Sequence, residues 1–537
     1  MPAVCGVFTM RNLHLPGRSP VRAQRGMIST SHPLASQAGL DILRRGGSAM
    51  DAAVAAAAVL AVVEPQATGI GGDCFVLLAG KDQKVRAFNG SGRSPKAATL
   101  DWYLQQGLDA IPGRGAHSVT VPGAIDAWCQ LLDEHGVLAR EEVFKDAIFF
   151  AREGYVVADR VAGDWAQNEP WLKEIDNARR VFLPEGRAPK AGEIHRQPEL
   201  ANTLEAIAKF GRDAFYTGAI AEDMVEALQA GGGLHTLADF AECRGNYVDP
   251  IKGSYRGFDL YQVPPNNQGL TALLMLNTLS HFDLKELHPE SAARLHLEVE
   301  ASRLAYRERD LRLADQASMN TSVEQLLAPE VGEKMARGIN LKATGELPDS
   351  VLDHSDTVYL CVVDENRNVV SFINSIYNEF GSGVVAPKSG VLLQNRGKSF
   401  RLSPEHPNVI APTKRPMHTI MPGMLCKDGQ VIAPLGVMGG DYQPVGQVHV
   451  LTNIIDYGMD AQEAIDAPRV FFENGVVQVE AGVSADTRLG LEALGHKLVD
   501  SPSYKPLGGG QIILIDPQTG TLTAGSDPRK DGSAIGY

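Results

Sequence analysis

Twelve consecutive residues, Ala52 to Val63, carry no polar side chain. A membrane-spanning helix needs about twenty, and Asp51 on one side and Glu64–Pro65 on the other close the run off. The stretch therefore reads as a core helix buried on every face, which demands layers of structure around it. Alanine at most positions lets neighbouring backbones come close. Ser48 with Asp51 reads as the capping box that opens this helix, and Pro65 ends it. The helix before it places Ala35, Ala38, Gly39, Ile42 and Leu43 on one face and stops at Gly46–Gly47.

With 537 residues, the chain is long enough for about three ordinary domains or one fused body. Its 44% hydrophobic and 21% charged residues are those of a soluble globular protein. A formal charge of −14 argues against nucleic acid or an anionic membrane as partner, since both require a basic face. The six cysteines form no CxxC pair, so neither a zinc knuckle nor a redox dithiol is expected. The first residues lack the basic start, apolar run and small-residue site of a secretory signal. The expectation is a cytoplasmic protein with reduced thiols.

After Gly69-Ile-Gly-Gly-Asp73 come a strand, Phe75–Ala79, a turn near Lys81–Lys84 and a second strand to Phe88. Residues 125–345 read as mainly helical, and the helix Ala292–Ala314 is expected to carry its alternating charges on an exposed face. The texture changes at Thr357. A strand to Asp364, a turn over Glu365–Asn368 and a strand Val369–Ile376 make a hairpin, and short strands continue to about residue 450. Segment 445–466 is helix-rich, with further strands near 511–515 and 521–524. Helices early and hairpins late predict a layered α+β body.

Several familiar motifs fail. No GxSxG elbow occurs. Gly397-Lys-Ser399 imitates the end of a phosphate loop, but position 392 is Leu where that loop needs Gly. No metal-binding spacing is found among the fourteen histidines, so neither a metal nor a cofactor is expected. A lone strand threonine such as Thr357 is ordinarily structural. It is the company it keeps that changes the reading.

His354-Ser-Asp-Thr357-Val-Tyr-Leu-Cys-Val-Val-Asp364, Phe380-Gly-Ser-Gly383, Ser389-Gly-Val-Leu-Leu-Gln-Asn395, Lys414-Arg-Pro416, Met438-Gly-Gly440 and Ser526-Asp-Pro-Arg529 follow one another in a fixed order. Upstream stand Arg44-Arg-Gly-Gly47, Asp51-Ala-Ala53 and Glu64-Pro65. Together these segments resemble the γ-glutamyltranspeptidase family from about Arg25 onward. The resemblance implies a four-layer αββα sandwich of the N-terminal-nucleophile hydrolases, built from two chains cut from one proenzyme. It implies cleavage between Asp356 and Thr357, giving a helix-rich large subunit 1–356 and a small subunit 357–537. By resemblance Thr357 is the nucleophile, Ser375 a hydroxyl near its amine, and the N–H groups of Gly439 and Gly440 the oxyanion donors. The chemistry is coherent. A free α-amine has a pKa of about 7.7–8.0, so the new N-terminus can act as base for its own hydroxyl.

The departures from that family bear on substrate. Ser91 stands where a γ-glutamyl enzyme has the Arg that fixes the α-carboxylate, with Arg93 two residues on. Ser399 stands at the carboxylate that holds the α-ammonium, Tyr377 at an Asn, and His418 and Thr419 at two adjacent serines. The amide chemistry is kept and the amino-acid recognition is lost, as in the oxamate amidohydrolase and cephalosporin acylase branch. Arg396, His418 and Tyr377 are the candidate ligands for a substrate carboxylate. The expected activity is hydrolysis of a small carboxylate-bearing amide such as oxamate. The rivals are glutathione hydrolysis or γ-glutamyl transfer and, from another class, a binding or scaffold protein that never matures. Oligomeric state stays open, a dimer of heterodimers included.

Overall fold

The computed structural model describes residues 17–345 and 357–537. Ser48 and Asp51 do form the reciprocal capping box, and the helix Ala49–Val63 that follows is buried at every residue. Helix Pro33–Arg44 stops where Gly46 and Gly47 donate their N–H groups back to the Leu43 and Ile42 carbonyls. The turn of the hairpin at Asp364 is tied to the buried helix, because its carboxylate accepts the Ala49 N–H at 3.1 Å.

Two seven-stranded antiparallel sheets face each other. One runs Ser533–Gly536, Met27–Thr30, Val358–Val363, Val369–Ser375, Asp73–Ala79, Arg86–Gly90 and Asn246–Val248. The other runs Val21–Ala23, Leu522–Ser526, Gly509–Ile515, Gln430–Met438, Gly423–Lys427, Phe258–Gln262 and Ile251–Tyr255. Strand alternation assigns the layers. In Val358–Val363 the residues Tyr359, Cys361 and Val363 point into the space between the sheets, with Phe75, Ile373, Ile420 and Met438. The intervening Val358, Leu360 and Val362 point outward, onto the helix Ala49–Val63, while Pro33–Arg44 covers Met27–Thr30 beside them. Helices Gly269–Leu279, Gln443–Ile455 and Ala461–Asp466 cover the outer face of the second sheet. This is the expected αββα sandwich.

Two expectations are corrected. The region read as mainly helical contains the hairpin Ile251–Tyr255 and Phe258–Gln262, which forms one edge of the second sheet. The charges of helix Ala292–Arg312 are divided: Arg307 is exposed, but half of the helix carries its charges inward. Arg294, Glu298, Glu300 and Arg309 are buried and answer one another or neighbouring elements, as in Arg294–Glu298 at 2.7 Å. Alternating charge looks the same in sequence whether water or a partner ion satisfies it.

Candidate active site

The hairpin register builds the site. Tyr359, Ile373 and Phe75 stand opposite one another across three strands and fill the layer between the sheets. Two residues further along, the same face turns polar. Ser375 is paired with Asp73, and Thr357, one residue before the Val358–Asn374 pair, falls in the same row. Thr357 is 1% exposed and its Oγ1 donates to Ser375 Oγ at 3.2 Å. Ser375 Oγ accepts the Tyr377 N–H at 2.9 Å. Gly72 lies so near that a Cβ there would stand 2.2 Å from the Ser375 carbonyl oxygen, so only glycine admits this approach. Asp356, the other half of the expected cleavage site, lies outside the described residues.

Asp73 is the buried anion of the row. Its Oδ1 accepts the N–H groups of Gly92 and Gly123 and the Gln394 amide, at 2.9, 3.0 and 2.9 Å. Its Oδ2 accepts from His418 Nε2 at 3.1 Å. Burial pushes the His418 ring down to about 4; the Arg396 guanidinium adds to the shift and Asp73 opposes it. At neutral pH the ring is therefore neutral and gives its one N–H to Asp73, while Nδ1 faces the Ile420 N–H at 3.5 Å. His418 is thus held from both ring nitrogens, by Asp73 on one side and the Ile420 N–H on the other.

The remaining parts join in a chain of contacts. Tyr377 holds a left-handed backbone at φ +78, a strained conformation for an aromatic residue. The guanidinium of Arg396, itself fully buried, lies 3.5 Å above its ring centroid. Arg396 Nη2 donates to Thr419 Oγ1 at 2.9 Å. The Thr419 carbonyl accepts from Gln268 Nε2 at 2.6 Å, and the same amide reaches the Gly440 carbonyl at 3.1 Å. Gly439 and Gly440, at φ +116 and +58, end the strand Gln430–Met438 and lead into the helix Gln443–Ile455. Backbone N–H groups at a helix start stabilise negative charge. Next to Tyr377, a cavity of about 230 Å³ is lined by Gly113, Arg114, Asn378, Glu379 and Lys398.

The gamma-glutamyltranspeptidase family model matches residues 35–537. The chain belongs to the gamma-glutamyltranspeptidase family. That is a family of amide and γ-glutamyl hydrolases and transferases, and this member is an enzyme of that kind. It is 40% identical to the glutathione hydrolase-like YwrD proenzyme of Bacillus subtilis, over 95% of this chain and 98% of that one. It is 35% identical to the oxamate amidohydrolase proenzyme of Klebsiella pneumoniae, again over 95% and 98%. The crystal structure of cephalosporin acylase from Bacillus halodurans superposes with a TM-score of 0.92 at 40% identity, covering 99% of both chains.

Three further positions, expected to bear on substrate, make other contacts. The Ser399 hydroxyl donates to the Arg396 and Met417 carbonyls at 3.0 and 2.7 Å, so it braces a turn and carries no charge. The Ser91 hydroxyl accepts from Asn266 Nδ2 at 3.1 Å, and Arg415 Nε reaches the Ser91 carbonyl at 3.0 Å. Arg93 is directed elsewhere: it donates to the Thr413 carbonyl and faces Asp315 at 3.7 Å, with 39% of its side chain exposed. Sequence reasoning missed Asp73 and Gln268. Asp73 had a signal, its place directly after two glycines at the head of a strand; Gln268 had none.

Proposed function

We propose that this member of the family is a precursor that cuts its own backbone between Asp356 and Thr357. The freed Thr357 then hydrolyses a small amide carrying a carboxylate, oxamate being the specific candidate. The observation that carries this reading is a buried threonine hydroxyl, 3.2 Å from Ser375 Oγ, at the head of a central strand. Before cleavage the Thr357 nitrogen is an amide and accepts no proton. Once freed, the amine takes the proton of Oγ1 as that oxygen adds to the substrate carbonyl. The oxyanion forms against the N–H groups of Gly439 and Gly440, at the mouth of a helix. Ammonia leaves with the proton from the amine, and water then releases the acid and restores the hydroxyl.

Arg396 is the group assigned to the substrate carboxylate, since its fork lies beside Thr419 and over Tyr377. The rival reading, glutathione hydrolysis, has the name of the Bacillus subtilis relative in its favour. Against it, the two positions that would grip a γ-glutamyl group are neutral serines engaged with other partners. Losing two charge-assisted contacts of about 1.5–3 kcal/mol each removes two to four decades of kcat/KM. The purified protein should run as two polypeptides on a denaturing gel, the smaller beginning Thr-Val-Tyr-Leu. Thr357→Ala should stay in one piece and be inactive. An uncut chain with full activity would sink the proposal, and faster release from glutathione than from any small amide would overturn the substrate.

A further inference from the structure

On the far side of the second sheet, three ligand-type side chains from distant parts of the chain meet. His296 and Glu300 stand one turn apart on helix Ala292–Arg312, and His496 follows helix Ala485–Ala493. All three are buried, and one ligand atom from each lies within 4.8 Å of the others. The sequence showed no metal-binding spacing because Glu300 and His496 lie 196 positions apart.

From this geometry we infer that His296 Nδ1, His496 Nε2 and a Glu300 carboxylate oxygen form a site for one borderline divalent transition-metal ion, Zn²⁺ being the best match. Outer contacts prepare two of the ligands. His296 Nε2 lies 2.8 Å from the Asn340 carbonyl, which can only accept, so Nε2 holds the proton and Nδ1 presents its lone pair. Glu300 Oε1 accepts from Arg303 and Thr344 at 2.7 and 2.9 Å, whereas Oε2 receives the Gly345 N–H at 3.1 Å.

The two ring nitrogens now share one proton across 2.7 Å. Around a tetrahedral ion with bonds of about 2.0–2.1 Å they would stand roughly 3.3 Å apart, so the rings must separate by about 0.6 Å. The proton count is unchanged: as Nε2 of His496 takes the ion, its hydrogen moves to Nδ1, and the site carries a net charge of about +1. Arg303 opposes a cation here, but it also has the Phe472 ring, 4.6 Å from its guanidinium, on which to rest. Two imidazoles and one carboxylate suit Zn²⁺ with water as fourth ligand, and suit Mg²⁺ or Ca²⁺ poorly. A bound ion would clamp the end of the segment 339–345, through Asn340 and Gly345, to the small-subunit side at His496.

The test uses the full, untagged chain, stripped with chelator and titrated with Co²⁺ and Zn²⁺. We expect about one ion per chain, ligand-field bands of four-coordinate Co²⁺ displaced by Zn²⁺, and no displacement by Mg²⁺. His296→Gln and His496→Gln should each weaken binding by more than the 10–100-fold typical of losing only an outer partner. Absence of the Co²⁺ bands in the unmodified chain overturns the inference, whether or not the variants fold. So does binding that persists in both variants, because the ion then sits elsewhere.

Discussion

Asp73→Asn is the sharpest probe of the polar row. The substitution keeps one oxygen facing Gly92, Gly123 and Gln394, but as a neutral acceptor. A bond to a charged group is worth about 1.5–3 kcal/mol against about 0.5–1.5 for a neutral one, so these three contacts lose about 1 kcal/mol each. At His418 the new amide N–H meets a ring N–H. The ring must then carry its proton on Nδ1, which sets it against the Ile420 N–H at 3.5 Å. The strain falls on the backbone at His418, whose N–H and carbonyl hold Asn266 and Gln268, and Gln268 in turn holds Gly440. If about 2 kcal/mol of that loss reaches the transition state, kcat falls roughly 30-fold. Ammonia release from oxamate, read with KM and a melting curve, is the assay. A lower melting temperature with kcat within twofold of the parent would refute the reasoning and leave Asp73 a purely structural anion.

Gly439→Ala should lose about 10²–10³ in turnover if this turn holds the oxyanion; its added Cβ would stand 2.9 Å from Gly508 Cα at a φ of +116. Near-normal turnover in a well-folded variant would remove Gly439 from the mechanism. Arg396→Met should lower kcat/KM one to two decades for an amide bearing a carboxylate and leave a neutral amide little changed; equal losses on both would point to collapse of the Tyr377 stack instead. Burial holds His32, His195, His235, His418 and His496 near 4, well below their ordinary 6.5. Between pH 6.5 and 4 the unfolded chain therefore binds more protons, so stability complete above pH 6.5 drains as the pH falls, and a melting temperature flat from pH 7 to 5 would contradict that.

What the sequence revealed followed local rules. The Ser48–Asp51 box, the all-buried helix and the hairpin from Thr357 each depend on neighbours a few residues away, and all three stand in the fold. Thr357, Ser375 and Thr419 stood out as candidates only through family resemblance, and the structure brings them into one network. The hairpin at 251–262 was legible in principle. Phe258 and Leu260 alternate with Asp259 directly after the turn residue Gly257, a strand–turn–strand signature hidden in a helical stretch. The contact between His418 and Asp73 was not legible, because the two stand 345 positions apart. The buried charges of Ala292–Arg312 were misread for the same reason: their partners, such as Asp441, are fixed by tertiary packing.

The two sides of position 357 are woven together. Val358–Val363 and Val369–Ser375 lie between Met27–Thr30 and Asp73–Ala79, and in the other sheet Gly423–Lys427 pairs with Phe258–Gln262. Neither piece owns a complete sheet. A chain folded whole and then cut there has formed as one molecule but can come apart only as two. Its melting point then depends on concentration, and recovery after heating is second order. At high dilution, the uncut precursor alone can find its way back.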